Sequence, residues 1–295
     1  LGASKNWLTP KTWDFLTLQD ALQNNEIAFP IVAKPRARRF SSNRSRKTLH
    51  KQLDALRLVL LQDQDELEKF LYENEGIRDY VIFQEFIHGN SASMYTVGIY
   101  ADKNNEILGM FTGKKVRGYP PQEGDCIIGE NHSVPDYVIQ NTERIVKEIG
   151  YHGIAEFEYM HDEKTGEFRL IEVNPRSWSW IGITPACGVS LPMIAYSDLV
   201  DVKTKQAISS YPDSTIAYLK VLEDLTNCIF RYKKTYPKWQ KTYKEWRKEL
   251  SSYKTVVFAE FNAKDYLVSL MAVVYFVRNI VRSVVKMLIQ KAKKQ

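Results

Sequence analysis

The feature that most constrains this chain is a pair of short segments. Gly153-Ile154-Ala155-Glu156-Phe157-Glu158-Tyr159 is followed, after a polar stretch, by Leu170-Ile171-Glu172-Val173-Asn174-Pro175-Arg176. Both alternate apolar with polar residues, as half-buried strands do. Phe157 and Tyr159 then face one way and Glu156 and Glu158 the other, as do Ile171 and Val173 against Glu172 and Asn174. His161 to Gly166 reads as the turn, with Gly166 able to take a positive φ. Pairing symmetric about Thr165 sets Glu158 opposite Glu172 and Glu156 opposite Asn174. Like charges across a ladder are unfavourable, so three carboxylates and an amide oxygen on one face call for a cation. All-oxygen ligands suit Mg²⁺, which commonly bridges a few protein oxygens to substrate phosphates. A plain solvated hairpin also presents such a face, but Arg176, directly after it, favours a site that handles anions.

Other segments extend the pattern. Phe29-Pro30-Ile31-Val32-Ala33-Lys34-Pro35 is an apolar strand carrying Lys34 near its end. An ammonium held there can act as a point charge on phosphate. Val81-Ile82-Phe83-Gln84-Glu85-Phe86-Ile87 is another strand, ending at His88-Gly89. In Phe111 to Pro121, alternation puts Lys115 and Arg117 on one face. Asp63 and Glu66 open a helix running to about Asn74 in a capping box. Thr17 with Asp20 suggests a weaker box for an earlier helix. Leu56 to Leu61 reads as a strand. Asp136 to Ile149 reads as a helix with Val138, Ile145, Val146 and Ile149 on one side. Strands and helices mix without strict β-α-β alternation, which argues for an α+β arrangement.

Glu172-Val173-Asn174-Pro175-Arg176 after such a strand resembles the metal-binding signature of the ATP-grasp superfamily, the family of the carbamoyl-phosphate synthetase ATP-grasp domain and of biotin carboxylase. The Lys34 strand resembles the one that delivers a nucleotide-phosphate lysine. Residues 81–87 resemble the strand and hinge that hold adenine, and 111–121 resemble a segment of the carboxylate–amine ligase branch around D-aspartate ligase. The pieces come in the expected order over about residues 8–200. The resemblance implies an ATP-grasp domain at 1–200, two α/β subdomains gripping a nucleotide, followed by a helical C-terminal extension at 201–295. It implies ATP with Mg²⁺, or Mn²⁺, held by Glu158, Glu172 and Asn174. Lys34, Gln84, Glu85, Phe86, Ile87 and Arg117 would bind the nucleotide, and Lys115 and Arg176 would serve catalysis. The implied reaction activates a carboxylate as an acyl phosphate and joins it to an amine, often of an amino acid. Alternatives are a phosphorylating domain like that of carbamoyl-phosphate synthetase, or a shell without catalysis that holds an anionic polymer or membrane.

Length and composition fit this. The chain has 295 residues, 44% hydrophobic and 26% charged, with net charge +6, favouring anionic partners. Cys126, Cys187 and Cys228 are far apart, with no zinc-like spacing; a reducing cytoplasm is the simplest expectation. The family usually carries a preceding α/β domain, and a chain starting at Leu1 is expected to be truncated. Arg36, Arg38, Arg39, Arg44, Arg46 and Lys47 form a basic loop without glycine where relatives have a glycine-rich phosphate loop. It reads as guanidinium groups replacing backbone donors, as a second anion site, as degraded nucleotide binding, or as a solvated run. Tyr232, Tyr236, Trp239, Tyr243 and Trp246 among lysines read as an amphipathic helix docked by its aromatic face, in preference to a nucleic-acid stack. Asp265 to Gln290 reads as a long apolar helix with Arg278, Arg282, Lys286 and Gln290 at every fourth position. Packing on protein is expected there, with a peripheral membrane contact as the alternative.

Overall fold

The computed structural model describes residues 7–36, 52–53, 56, 58–121, 124–202, 205–262 and 264–292. The chain divides into two compact units, residues 1–88 with 161–171, and residues 89–160 with 172–295. This partition differs from the expected break at residue 200.

The first unit holds a four-stranded sheet. Strands β1 (Thr12–Trp13), β2 (Ile31–Pro35), β3 (Val59–Leu61) and β4 (Val81–Glu85) lie in the order β1-β4-β2-β3. Helix α1 (Phe15–Gln23) and helix α2 (Gln64–Glu73) bury Leu18, Leu67 and Phe70 with Ile31, Ala33, Leu61, Val81 and Phe83 of the strands. The α2 cap is where the sequence places it: the Asp63 carboxylate accepts from the Glu66 amide, though Glu66 accepts from the Gln62 amide and so does not close the expected box on Asp63. The α1 cap is not where the sequence places it. Asp14, not Thr17, is the cap, and Thr17 occupies the third helical position, returning a bond to the Asp14 amide. An aspartate three residues ahead of a hydroxyl forms the reciprocal box as well as Ser or Thr does. The strand expected at Leu56 to Leu61 begins at Val59 among the described residues.

The second unit is built on strands β5 (Met94–Ala101), β6 (Ile107–Tyr119), β7 (Asp125–Asn131), β8 (Gly153–His161), β9 (Phe168–Asn174), β10 (Ala207–Ile208), β11 (Ile216–Leu219) and β12 (Thr255–Phe258). They form one sheet in the order β12-β11-β7-β6-β5-β8-β9, with β10 paired to β6. Gly166 in the β8–β9 turn takes φ +75°. Helix α3 (Asp136–Ile149) buries Val138, Ile145 and Val146, while Ile149 at its last turn is exposed. Helix α4 (Leu191–Leu199) packs Leu191 and Ile194 into a core with Tyr100, Phe111, Trp178 and Trp180.

Residues 201–295 are not purely helical. Strands β11 and β12 come from this segment and extend the sheet, β11 pairing antiparallel with β7. Up to Leu250 its helices are short: α5 (Val221–Thr226), α6 (Tyr232–Thr235) and α7 (Tyr243–Leu250). The aromatic run is therefore not one helix. Pro237 opens a separate 3₁₀ turn, and Thr242 with Glu245 forms a capping box that starts α7 afresh. Tyr232 and Trp246 are buried, whereas Tyr243 is exposed.

One close approach gives a test. A Cβ at Gly98 on β5 would lie 2.2 Å from the Trp178 ring. Gly98→Ala is expected to lower stability by about 1–3 kcal/mol through overpacking, seen as a lower urea midpoint at unchanged slope.

Candidate functional site

In the first unit, β4 lies between β1 and β2, with Gln84 opposite both Thr12 and Val32. The alternation that buries Val81 and Phe83 turns Ile82 and Gln84 to the other face, where Lys34 also lies opposite Ile82. The Lys34 ammonium donates to Gln84 Oε1 at 2.8 Å, and Gln84 Nε2 donates to Thr12 Oγ1 at 2.9 Å. The two expected nucleotide residues are thus on one polar face. Glu85 is pinned by the residue just before β1, its carboxylate accepting from the Lys11 amide at 3.1 Å. Phe86 is half-buried edge-on to His88, and Ile87 is buried.

Sequence reading gave Asp162 no role. It is buried, and it accepts from the Lys164, Thr165 and His88 amides, so the hairpin tip holds the end of the segment after β4. Burial alone would raise its pKa; those bonds outweigh it and lower it. An aspartate four residues before a turn glycine was the available signal.

In the second unit, β5 pairs with both β6 and β8, which sets Lys115 of β6 near the acidic residues of β8. The Lys115 ammonium lies 3.2 Å from Glu158 Oε2, and both side chains are largely buried. Glu156 is buried and held by neutral donors: Thr96 Oγ1 at 3.0 Å and Asn174 Nδ2 at 3.2 Å. Asn174 Oδ1 in turn accepts from the Arg176 guanidinium at 3.1 Å. Glu172 is exposed. Burial, and then the neighbouring Glu158 charge, raise the Glu156 pKa. Burial would lower the Lys115 pKa, but the Glu158 charge reverses this and raises it.

The expected cluster is therefore partly assembled. Lys115 pairs with Glu158, and Arg176, Asn174 and Glu156 form a second hydrogen-bonded chain, the two coupled through the Glu158 charge acting on Glu156. Lys115 supplies a cation to Glu158. Among the described residues, no three His, Cys, Asp or Glu side chains gather as a ready metal cage. The donor set of Glu158, Glu172 and Asn174 remains all-oxygen, which is the chemistry a hard divalent ion takes.

Arg117 departs from the expectation that it contacts nucleotide. The β6–β7 register slips at this point, Lys115 facing Gly129 and Arg117 facing Ile128. That bulge breaks the alternation on which a shared face with Lys115 rested. The Arg117 guanidinium is 1% exposed and grips Asp224 of α5 through Nε and Nη2, both at 2.8 Å, with Glu249 of α7 at 3.1 Å. Asp224 also accepts from Trp246 Nε1 at 2.8 Å. The carboxylates outweigh the burial and raise the Arg117 pKa further. Of the six expected basic-loop residues, Arg38, Arg39, Arg44, Arg46 and Lys47 lie outside the described residues.

A family model described as the carbamoyl-phosphate synthase L chain ATP-binding domain matches residues 131–186, the stretch that carries Glu156 to Arg176. The solved N5-carboxyaminoimidazole synthetase of Staphylococcus aureus, in complex with ADP, superposes with a TM-score of 0.53 over 80% of this chain and 58% of its own, at 12% identity. This is an ATP-grasp fold. The D-aspartate ligase of Enterococcus faecium (strain Aus0004) is 27% identical over 125 residues, 40% of this chain and 28% of the relative. The chain thus spans under a third of that ligase's length. Within the ATP-grasp fold, no helix among the described residues is long and apolar enough to cross a membrane.

The Arg117 assignment has a direct test. Asp224→Ala is expected to destabilise the protein by about 3–5 kcal/mol, because a buried guanidinium loses its bidentate partner. Chemical unfolding measures this; a change under 1 kcal/mol would return Arg117 to the candidates for ligand binding.

Proposed function

We propose that this chain provides the nucleotide-binding and phosphoryl-transfer machinery of an ATP-dependent carboxylate–amine ligase. The observation that carries the reading is the Lys115–Glu158 pair beside Asn174 and Arg176, on strands of an ATP-grasp fold and within the stretch matched by the family model. The similarity to a ligase and to a synthetase that binds ADP supports it.

In this reading a substrate carboxylate oxygen attacks the γ-phosphorus of ATP, the bond to the β,γ-bridging oxygen breaks, and ADP leaves. The product is an acyl phosphate. An amine then attacks its carbonyl carbon, inorganic phosphate departs with the C–O bond electrons, and loss of the amine proton leaves an amide. Phosphoryl transfer asks for positioning and charge compensation more than covalent help. Lys34 and Gln84 would place the nucleotide, with Glu85, Phe86 and Ile87 toward its base. Glu158, Glu172 and Asn174 would hold Mg²⁺, which when bound neutralises phosphate charge. Lys115 and Arg176 would face the transferring phosphoryl group and the acyl phosphate. Both cations are held by neutral or anionic neighbours of the same unit, so neither needs to be recruited from solvent.

Glu172→Ala is expected to reduce Mg²⁺-dependent ADP release, over a panel of amino acids and carboxylates, by about 10²–10³-fold. Glu172 is exposed, so the unfolding midpoint should stay in place. Wild-type turnover by folded Glu172→Ala protein would remove Glu172 from the metal set. Lys34→Met is expected to weaken Mg-ATP binding in calorimetry by roughly tenfold or more, from the loss of one charged contact of about 1.5–3 kcal/mol.

A further inference from the structure

The last helix of the described chain, α8 (Tyr266–Ala292), does not pack as an apolar helix of a folded domain should. Leu267, Val268, Leu270, Met271, Val274 and Tyr275 are each between 51% and 62% exposed. One side of the helix, with Ser269, Ala272, Val273 and Phe276, is half-buried, while the apolar side opposite it is left uncovered among the described residues. We infer that α8 docks the protein on the surface of an anionic phospholipid bilayer. The inference stands independently of the proposed ligase chemistry.

The first argument is angular. At 100° per residue these six side chains span about 160° of the helix circumference, whereas a helix seated on a protein surface needs a stripe little wider than 100°. From Leu267 to Val277 the sequence holds one polar residue, Ser269. A single protein partner covers one side of such a helix; acyl chains cover whatever is presented to them. Phe258 and Phe261, just before the helix, are 44% and 38% exposed and add to the same uncovered apolar surface.

The second argument is charge. Residues 266–295 contain no Asp or Glu but six cations: Arg278, Arg282, Lys286, Lys291, Lys293 and Lys294. Arg278 and Arg282 are exposed, one turn apart, directly after the apolar turns. Long basic side chains can leave their stems in the apolar layer and their charges at the headgroups. An anionic membrane supplies both the apolar phase and the opposite charge, each basic residue near such a surface adding attraction.

Length decides between lying and spanning. Eleven residues from Leu267 to Val277 make about 17 Å of helix, against a hydrocarbon core of about 30 Å. The apolar part is too short to cross, in keeping with the absence of a membrane-spanning helix among the described residues. It suits an interfacial helix.

The test is co-sedimentation of the full chain with vesicles. Binding is expected to vesicles of equimolar phosphatidylglycerol and phosphatidylcholine, to be much weaker to phosphatidylcholine alone, and to fall in 1 M salt, where the Debye length is about 3 Å. Arg278→Gln with Arg282→Gln should weaken it roughly 25-fold, about fivefold per charge. Val274→Asp should weaken it further at unchanged circular dichroism, since the position is exposed. Equal binding to both vesicle types, or to neither, overturns the inference. So does a dimer in lipid-free sedimentation velocity that Val274→Asp abolishes and that fails to bind vesicles, which would assign the face to a second copy of the chain.

Discussion

Two carboxylates one residue apart on an inner strand, Glu156 and Glu158, set the electrostatic condition that the second unit must satisfy. Neither can be charged and unpartnered where it stands, because desolvation of a lone buried charge costs several kcal/mol. The chain answers differently for each. Glu158 receives the Lys115 ammonium at 3.2 Å. Glu156 receives a hydroxyl from Thr96 and an amide from Asn174, both neutral. The outcome is a raised pKa for Glu156, from burial first and the Glu158 charge second. One carboxylate is thereby biased toward its neutral form while the other stays matched to a cation. The pairing of β5 between β6 and β8 makes this arrangement, since Thr96 and Lys115 arrive from different strands.

The second constraint is Arg117. A guanidinium stays charged at any ordinary pH, so its burial has to be matched by carboxylates. Asp224 and Glu249 supply them from α5 and α7, 107 and 132 residues further along the chain. Trp246 adds its indole N–H to Asp224, and Tyr232 donates to the Gly118 carbonyl next to the bulge. Strands β11 and β12 and helices α5 to α7 are thus built into the sheet and its core. The boundary expected near residue 200 therefore falls within one unit.

Those two constraints explain what the sequence could and could not reveal. Alternation on Gly153 to Tyr159 exposes the acidic face directly, and the Gly166 turn follows from a residue type that tolerates positive φ. The Lys34 and Gln84 strands are legible because their apolar neighbours are buried with a period of two. Arg117 was misplaced because alternation assumes an unbroken ladder, and the slip between Lys115 and Arg117 leaves no local mark. Its partners are set by tertiary packing over more than a hundred residues. The aromatic run at 231–254 repeats with helical spacing, yet Pro237 and the Thr242 cap divide it. For α8 the apolar pattern is plain in sequence; what it lacks is any record of which surface, protein or lipid, meets it.

Strand β6 therefore carries two buried cations of different character. Arg117 is closed: its forked donors are matched by two carboxylates, and replacing Asp224 would leave the guanidinium only Glu249, which Lys241 shares. Lys115 is open to exchange. Its main partner, Glu158, is a single contact, and an ammonium on a flexible stem can reorient about its last bonds where a bidentate fork cannot. Under the proposed reading this difference is what phosphoryl transfer needs. Glu158 would then be free to hold a hard divalent ion, and Lys115 to meet a phosphate. An Arg at position 115 would hold Glu158 more firmly and make that exchange harder, whereas a Lys at position 117 could not satisfy Asp224 and Glu249 together. The residue type at each position is matched to whether its charge must stay or move.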